Sequence, residues 1–154
     1  RLLTSARGAN LPAALVRYRL HGASVTARDW TAMEDNSARV LRAALREIRP
    51  DVSEEEVRFH RQVAMAEIPP DVASLRRAGN WLEQIAPALD RSRAARDVLR
   101  EVWFRLAMRV APAAGWTALP EALGGSFPRR CGLSFRQRAL IVGSAAKGWA
   151  GGAR

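Results

Sequence analysis

Apolar residues recur at three- and four-residue spacings along most of the chain, between breaks at proline and glycine. This spacing is typical of amphipathic helices, each with one apolar face. Runs in which apolar and polar residues alternate are absent from the sequence, so nothing in it predicts a strand. The clearest stripes run through helices predicted over 29–48 and 92–110. The fold class is therefore predicted to be all-α.

Capping and breaking residues set the predicted ends of the helices. Ser53 and Glu56 form an S-x-x-E capping box, in which each side chain can bind the other's free backbone amide. A helix should therefore begin at Ser53 and end near Glu67, while Asp90 or Ser92 should cap the long helix that ends near Val110. Shorter helices, each followed by proline or glycine, are predicted over 12–20, 71–78, 81–86, 118–123 and 135–147.

The longer helices predict how the chain is organised. Helices near 29–49, 53–67 and 91–110 predict a three-helix bundle core within a folded body over 29–110. Residues 1–28 are predicted to form a basic N-terminal arm with a short helix. Residues 111–154, rich in proline and glycine, are predicted to form a basic C-terminal arm with another short helix. Both arms are expected to be extended and to order on a partner.

Charge is concentrated in the two predicted arms. The 154 residues carry a formal net charge of +10, yet acidic residues are absent from 1–28 and from 122–154. Such ends bind acidic surfaces, whether of other proteins, RNA or anionic lipid. Trp81 and Trp103 fall on helical stripes and are predicted to lie in the core. Exposed aromatic anchors are typical of interfaces and of base stacking. The predicted partner-binding residues are Arg7, Arg17, Arg19, Trp116, Arg129, Arg130, Phe135, Arg136, Arg138 and Trp149.

Residues with the potential for catalysis or metal binding do not form a recognisable site. His21 and His60 lie far apart, and the set of three or four ligands that zinc or iron needs is missing. His60 lies one turn from Val57 and one turn from Ala64, and it is predicted to be a half-buried helix residue. Arg129 and Arg130 should lower the pKa of the neighbouring Cys131, but no histidine near it in sequence could act as its base. The acids at 54–56 suit the first turn of a helix. The sequence thus predicts no catalytic residue, no metal and no cofactor.

The N-terminal residues of the chain are relevant to its location in the cell. The run RLLTSARGANLPAALVRYRL is rich in arginine and free of acids, like the region around an organelle presequence cleavage site. Cys131 is the single cysteine, which fits a reducing compartment. No apolar run approaches the ~20 residues that span a bilayer. We therefore expect an organellar protein without a transmembrane span.

Three strings resemble a known family. The first is VLRAALREIRP at 40–50, the second is Ala64–Met65 followed by PDVASL at 70–75, and the third is LEQI at 82–85 followed by LREVW at 99–103. In this order they resemble the small matrix-arm accessory subunit of mitochondrial complex I, the alpha subcomplex subunit five family, over about Ser37 to Trp103. The resemblance implies a three-helix bundle without cofactor or catalytic residues. It also implies a place among respiratory-chain subunits, on the matrix side of the inner membrane.

Two alternatives stay open. Tyr18, Gly22, the pair at 28–29 and the run LREI at 45–48 resemble the small matrix-side subunit of complex III. The arginine-rich arms also suit a mitochondrial ribosomal protein, in which arginines neutralise rRNA phosphates and exposed aromatic side chains stack on bases.

Overall fold

The computed structural model describes residues 30–89 and 92–152, with the side chains of 33–89 and 92–150. Regular structure in these residues is helical throughout, which confirms the all-α class. The chain divides into two compact units, Arg1–Asn36 and Ser37–Arg154, and the contacts below belong to the second. Some predictions lie outside the described residues: the arm over 1–28, its helix at 12–20, and the contact residues Arg7, Arg17 and Arg19.

The helices are α1 (Trp30–Ile48), α2 (Glu54–Met65), α3 (Val72–Leu89), α4 (Arg93–Ala114), a 3₁₀ turn (Gly115–Ala118), α5 (Leu119–Gly124), α6 (Ser126–Cys131) and α7 (Phe135–Gly152).

Side-chain caps begin the helices where the sequence predicted them. The Glu56 amide donates to the Ser53 hydroxyl at 3.2 Å, and the Ser53 amide donates to the Glu56 carboxylate at 2.8 Å, which completes the capping box. Ser92 accepts from the Ala95 amide at 3.1 Å and so caps α4. These predictions are confirmed because a cap depends on residues within one turn of each other.

The C-terminal end of α2 lies before the predicted one. The helix closes at Ala66, which has a φ of 56° and lies in the left-handed region. The Glu67 amide then donates back to the Gln62 carbonyl at 2.7 Å, as in a Schellman-type ending. A non-glycine residue is disfavoured in this conformation, so no local signal predicts a stop at this position.

One continuous helix, α3, covers the region where two short helices were predicted. Gly79, predicted to stop the first of them, is buried within α3, and a Cβ added there would lie 3.3 Å from the Trp103 ring. Its missing side chain lets α3 approach α4 closely. Pro87 lies in the last turn of α3, where it lacks the N–H of one helical hydrogen bond but is followed by only two further helical residues. The predicted stop at Gly79 is therefore wrong, and Pro87 does not end the helix, which continues to Leu89.

The core is built around α4, which contacts α2, α3, α5, α6, α7 and the 3₁₀ turn. Trp103 is fully buried at its centre, and its indole Nε1–H donates to the Ala122 carbonyl at 3.0 Å. The Phe127 ring meets the Trp103 ring edge to face, with their centroids 5.4 Å apart. Residues that follow α4 in the chain thus complete the packing around this tryptophan.

The helix α1 contributes less to the core than the sequence predicted. Leu45 is 2% exposed, but Val40, on the predicted apolar stripe, is 71% exposed, and Ala44 is exposed as well. The fully buried side chains come mainly from α3, α4 and the segments after α4. The predicted three-helix bundle over 29–110 is therefore not the observed arrangement.

The segment over 111–152 is folded, in contrast to the extended arm predicted there. It forms the 3₁₀ turn, α5, α6 and α7, and it belongs to the same compact unit as α4. Buried residues from it are Ala111, Ala118, Ala122, Phe127, Leu133, Ile141 and Ala145. The sequence did not predict this packing because alanine fills many of the buried positions, and alanine gives only a weak hydrophobic stripe.

Two glycines explain how closely α7 approaches α4. A Cβ added at Gly148 would overlap the Pro112 carbonyl oxygen and would lie 2.9 Å from the Pro112 Cα. Gly115, with a φ of +57°, turns the chain from α4 into the 3₁₀ turn. At this φ a side chain would be strained. The helix α7 runs to Gly152, five residues beyond its predicted end at Lys147.

Candidate interaction surface

The predicted partner-binding residues that the structure describes lie on the 3₁₀ turn, α6 and α7. Arg129 and Arg130 are in the last turn of α6, and Phe135, Arg136 and Arg138 are in the first turn of α7. Trp116 lies in the 3₁₀ turn, and Trp149 lies near the C-terminal end of α7. They therefore form two groups at opposite ends of α7, separated by roughly 20 Å at 1.5 Å per residue.

The first group lies where α6 passes into α7. Phe135 is 89% exposed, and Arg129 and Arg136 are also exposed. Neither of these two arginines forms an ion pair within the described residues. A phenyl ring that is almost fully exposed between cations is available to a partner, since nothing in its own unit covers it.

Two predicted residues of this group have a role inside the fold. The Arg138 Nε–H donates to the Leu133 carbonyl at 3.1 Å, which ties the turn before α7 to the helix. Arg130 donates to the Glu83 carboxylate at 3.4 Å and so links α6 to α3. Arg138 is half-buried, while Arg130 remains exposed. Sequence reasoning could not separate these internal contacts from free charges, because the carbonyl and the carboxylate come into reach only in the folded chain.

The second group consists of the two tryptophans. Trp116 is 46% exposed and Trp149 is 65% exposed. A Cβ added at Gly115 would lie 3.7 Å from the Trp149 Cβ, so the backbone before Trp116 packs against the base of Trp149. Both indoles therefore lie at the same end of α7. In contrast, Trp81 and Trp103 are buried in the core, as their helical spacing predicted.

A groove between α2 and α3 was not found from the sequence. It has a volume of about 200 Å³ and is lined by Glu56, Phe59, Arg77, Asn80, Trp81 and Gln84. The guanidinium of Arg77 lies 4.2 Å from the Phe59 ring centroid, and that of Arg49 lies 5.3 Å from the Trp81 centroid. The predicted stop at Gly79 had separated Arg77 from Trp81, which hid the groove.

The polar groups around this groove bind one another. Arg49 donates to the side-chain Oε1 of Gln84 at 2.8 Å and forms an ion pair with Glu56 at 3.1 Å. Arg77 forms an ion pair with Glu55 at 2.9 Å. The acids at 54–56 thus neutralise arginines of α1 and α3, in addition to favouring the first turn of α2. These contacts hold α2 against its neighbours, as expected for structural charges.

His60 is a half-buried residue of α2, as the sequence predicted. The Trp81 indole Nε1–H donates to its Nδ1 at 3.0 Å, so Nδ1 carries no proton and the ring is neutral. Burial lowers the pKa of His60 below its usual value. The imidazole therefore serves as an acceptor within the fold at neutral pH.

Cys131 differs from its prediction. Burial raises the pKa of the Cys131 thiol to about 11, and the nearby charges of Arg100 and Arg138 only partly oppose this effect. The Sγ donates to the Pro128 carbonyl at 3.6 Å. The predicted shift toward thiolate is therefore wrong, because loss of solvent outweighs the neighbouring arginines. The cavity beside the thiol has a volume of about 10 Å³, which is room for about one water molecule.

Two further findings concern membrane-spanning helices and metal sites in the described residues. Among residues 30–89 and 92–152, no helix is both long enough and apolar enough to cross a bilayer. The same ranges contain no group of three histidine, cysteine or acidic side chains that could hold a metal ion.

Comparison with known proteins found no matching family model, no similar characterised protein and no similar solved structure.

Proposed function

We propose that this protein is a non-catalytic subunit of a larger assembly and that it joins this assembly through the surface of α6 and α7. The observation that carries the proposal is the combination of exposed aromatic side chains with cations that form no ion pair among the described residues, on two helices whose sequence contains no acid. Phe135 and Arg136 lie at one end of α7, and Trp149 and Lys147 at the other. Large exposed aromatic residues beside arginine are typical of protein interfaces.

The contacts of the reactive side chains support a structural role. His60 accepts a hydrogen bond from Trp81, Cys131 holds its proton, and the acids of α2 pair with arginines. Each of these groups therefore has a partner or a pKa that suits a fold contact and not the activation of a substrate.

The resemblance over Ser37 to Trp103 is our basis for proposing a particular assembly. It favours an accessory subunit of mitochondrial complex I, the NADH:ubiquinone oxidoreductase, on the matrix side of the inner membrane. In that position the protein would cover and brace the subunits that carry electron transport. The strings that carry the resemblance lie on α1, at the end of α2, on α3 and on α4. An accessory subunit of complex III is the closest alternative.

A mitochondrial ribosomal protein is the second candidate, because the same cations could neutralise rRNA phosphates. The salt dependence of binding distinguishes a ribosomal protein from a respiratory subunit. Binding to RNA through several arginines should weaken by orders of magnitude between ~50 and ~200 mM salt. Docking driven mainly by apolar burial should change far less over the same range.

Affinity purification of the tagged full chain from gently solubilised mitochondria tests the proposal. We expect respiratory subunits to co-purify with the wild-type chain and to be lost from the double variant Arg129→Glu, Arg136→Glu. Arg58→Glu is the matched control, because Arg58 is an exposed arginine of α2. Recovery of ribosomal proteins in place of respiratory subunits would favour the second candidate. Recovery of neither would overturn the proposal of an assembly subunit.

A further inference from the structure

The full length of α7 places Phe135 and Trp149 on one face of one helix. They are separated by about four turns, or roughly 21 Å along the axis. Because the helix continues to Gly152, Trp149 is a helical residue and keeps the register that Phe135 begins. Two aromatic side chains that sequence analysis put in separate places thus mark the ends of a common surface.

Apolar residues at helical spacing connect these two ends. We call Phe135, Ala139, Val142, Ala146 and Trp149 the outer stripe of α7. Phe135 and Ala139 are exposed, Val142 and Ala146 are half-buried, and Trp149 is 65% exposed. The adjacent side of the helix holds Ile141 and Ala145, which are fully buried. The helix α7 therefore has one buried apolar face and a second, the outer stripe, which its own unit covers only in part, at Val142 and Ala146.

The outer stripe has small side chains in its middle and bulky ones at its two ends. Its middle consists of two alanine methyl groups and a half-buried valine, and its ends are a phenyl ring and an indole. A second helix could lie along the middle at the short end of the usual 8–10 Å interaxial range, with the aromatic rings against its flanks. Small residues at the centre and aromatic anchors at the edges suit helix-to-helix docking.

The charges beside the outer stripe restrict the partner. Arg136 and Lys147 lie along one edge of it, are exposed, and form no ion pair within the described residues. Acidic residues are absent from 122–152. A second copy of this chain would bring like charges together along the contact, which disfavours self-association. Acidic side chains on the partner would complement this edge.

Two other kinds of partner fit the outer stripe less well. Methyl groups at its centre offer RNA neither hydrogen bonds nor stacking surfaces, which single-stranded recognition requires. Alanines also contribute little apolar area to insertion in a bilayer, which favours leucine, phenylalanine and tryptophan. The shape of the surface therefore favours a protein helix.

We propose that the outer stripe of α7 binds an amphipathic helix of another protein, with an apolar face toward Ala139 and Ala146 and acidic residues toward Arg136 and Lys147. This inference rests on the proposed function and names the chemistry of the partner.

The test measures binding of the full chain to three probes. The first probe is a synthetic amphipathic helix as long as α7, with a leucine stripe flanked by glutamates, and the same peptide with lysines in place of the glutamates is its control. The others are vesicles of phosphatidylcholine with phosphatidylglycerol, and a single-stranded RNA oligonucleotide. We expect saturable binding of the glutamate peptide and none of the lysine peptide. Arg136→Glu should abolish it.

Ala139→Leu separates the three kinds of partner. It adds bulk at the point of closest approach, and overpacking of about 1.4 kcal/mol would weaken binding of the glutamate peptide about tenfold. The same change should strengthen binding to vesicles by adding apolar area, and should leave RNA binding unaltered. Ala73→Leu, at an exposed alanine of α3, is the matched control and should change none of these affinities.

Three results with the probes would overturn the proposal, and one with the purified assembly would also do so. The first is absence of saturable binding to the glutamate peptide. The second is tighter vesicle binding by the Ala139→Leu variant than by wild type, with no loss of peptide affinity. The third is RNA binding that Arg136→Glu abolishes while the peptide does not compete. If Ala139→Leu still enters the purified assembly, the outer stripe is not the contact although the proposed function stands. If the peptide binds as expected but no assembly is recovered, the proposed function fails alone.

Discussion

Replacement of Gly148 by alanine tests the closest contact in the fold. A Cβ at this position would overlap the Pro112 carbonyl oxygen and would lie 2.6 Å from the carbonyl carbon. The obstacle is main chain, which cannot rotate away as a side chain can. The alanine therefore forces the C-terminal half of α7 to move away from α4 or to unwind.

The size of the effect follows from two opposing contributions. Overpacking usually lowers the free energy of unfolding by about 1–3 kcal/mol. Because the backbone at this site cannot move aside, we expect a loss near the upper value. Alanine in place of glycine within a helix raises the free energy of unfolding by about 1 kcal/mol, because its helix propensity is higher. We expect Gly148→Ala to lower the free energy of unfolding by about 2 kcal/mol. With a urea dependence of ~2 kcal/mol per molar, the unfolding midpoint should fall by about 1 M.

Gly143→Ala is the matched control, because it makes the same change in the same helix. A Cβ at Gly143 would have no atom within 4 Å, so only the gain in helix propensity applies. This variant should be more stable than wild type by about 0.5–1 kcal/mol. Urea unfolding followed by circular dichroism and tryptophan fluorescence measures both variants. Equal stabilities of the two variants would refute the close approach of α7 to Pro112.

Four further predictions concern individual residues. Ala66→Gly should stabilise the protein by about 1 kcal/mol in urea unfolding, because glycine relieves the left-handed conformation at the end of α2. Stability should fall as pH decreases below ~6.5, because the unfolded chain takes up a proton at His60 more readily than the folded chain with its lowered pKa. His60→Gln should flatten this dependence, and an unchanged slope would contradict the neutral, buried imidazole. Cys131 should react with iodoacetamide at pH ~8 at least about tenfold more slowly than a free cysteine, since a pKa of about 11 leaves little thiolate. Cys131→Ala should leave assembly and respiratory activity unchanged, and loss of an activity with that change alone would indicate an enzyme.

The features predicted correctly are those that depend on neighbours in sequence. The capping box of Ser53 and Glu56, the cap at Ser92 and the burial of Trp81 and Trp103 each follow from spacings within a few turns. Hydrogen bonds between a cap and the first turn form in the helix itself, whatever the helix packs against. Helical periodicity likewise predicts which side of a helix is apolar.

The candidate site was predicted only in part for the same reason. Sequence identified Phe135, Arg136 and Trp149 as exposed contact residues, and the structure gives them exposed positions. It could not show that Phe135 and Trp149 share a face, because Gly148 was read as the end of the helix. It also could not show that Arg138 binds the Leu133 carbonyl or that burial outweighs the arginines near Cys131.

The sequence by itself determined that this chain is helical, where its capped helices begin, and that its positive charge gathers at the ends. These properties follow from backbone propensity, capping chemistry and composition, which act over one or two turns. Only the tertiary structure decided that 111–152 folds onto α4, that Gly79 and Gly148 are contact points within helices, and that one apolar face of α7 stays partly uncovered. A glycine ends a helix when its surroundings are open and continues it when a neighbouring helix packs against it. That choice depends on residues distant in the chain, such as Trp103 and Pro112, which meet these glycines only in the folded protein.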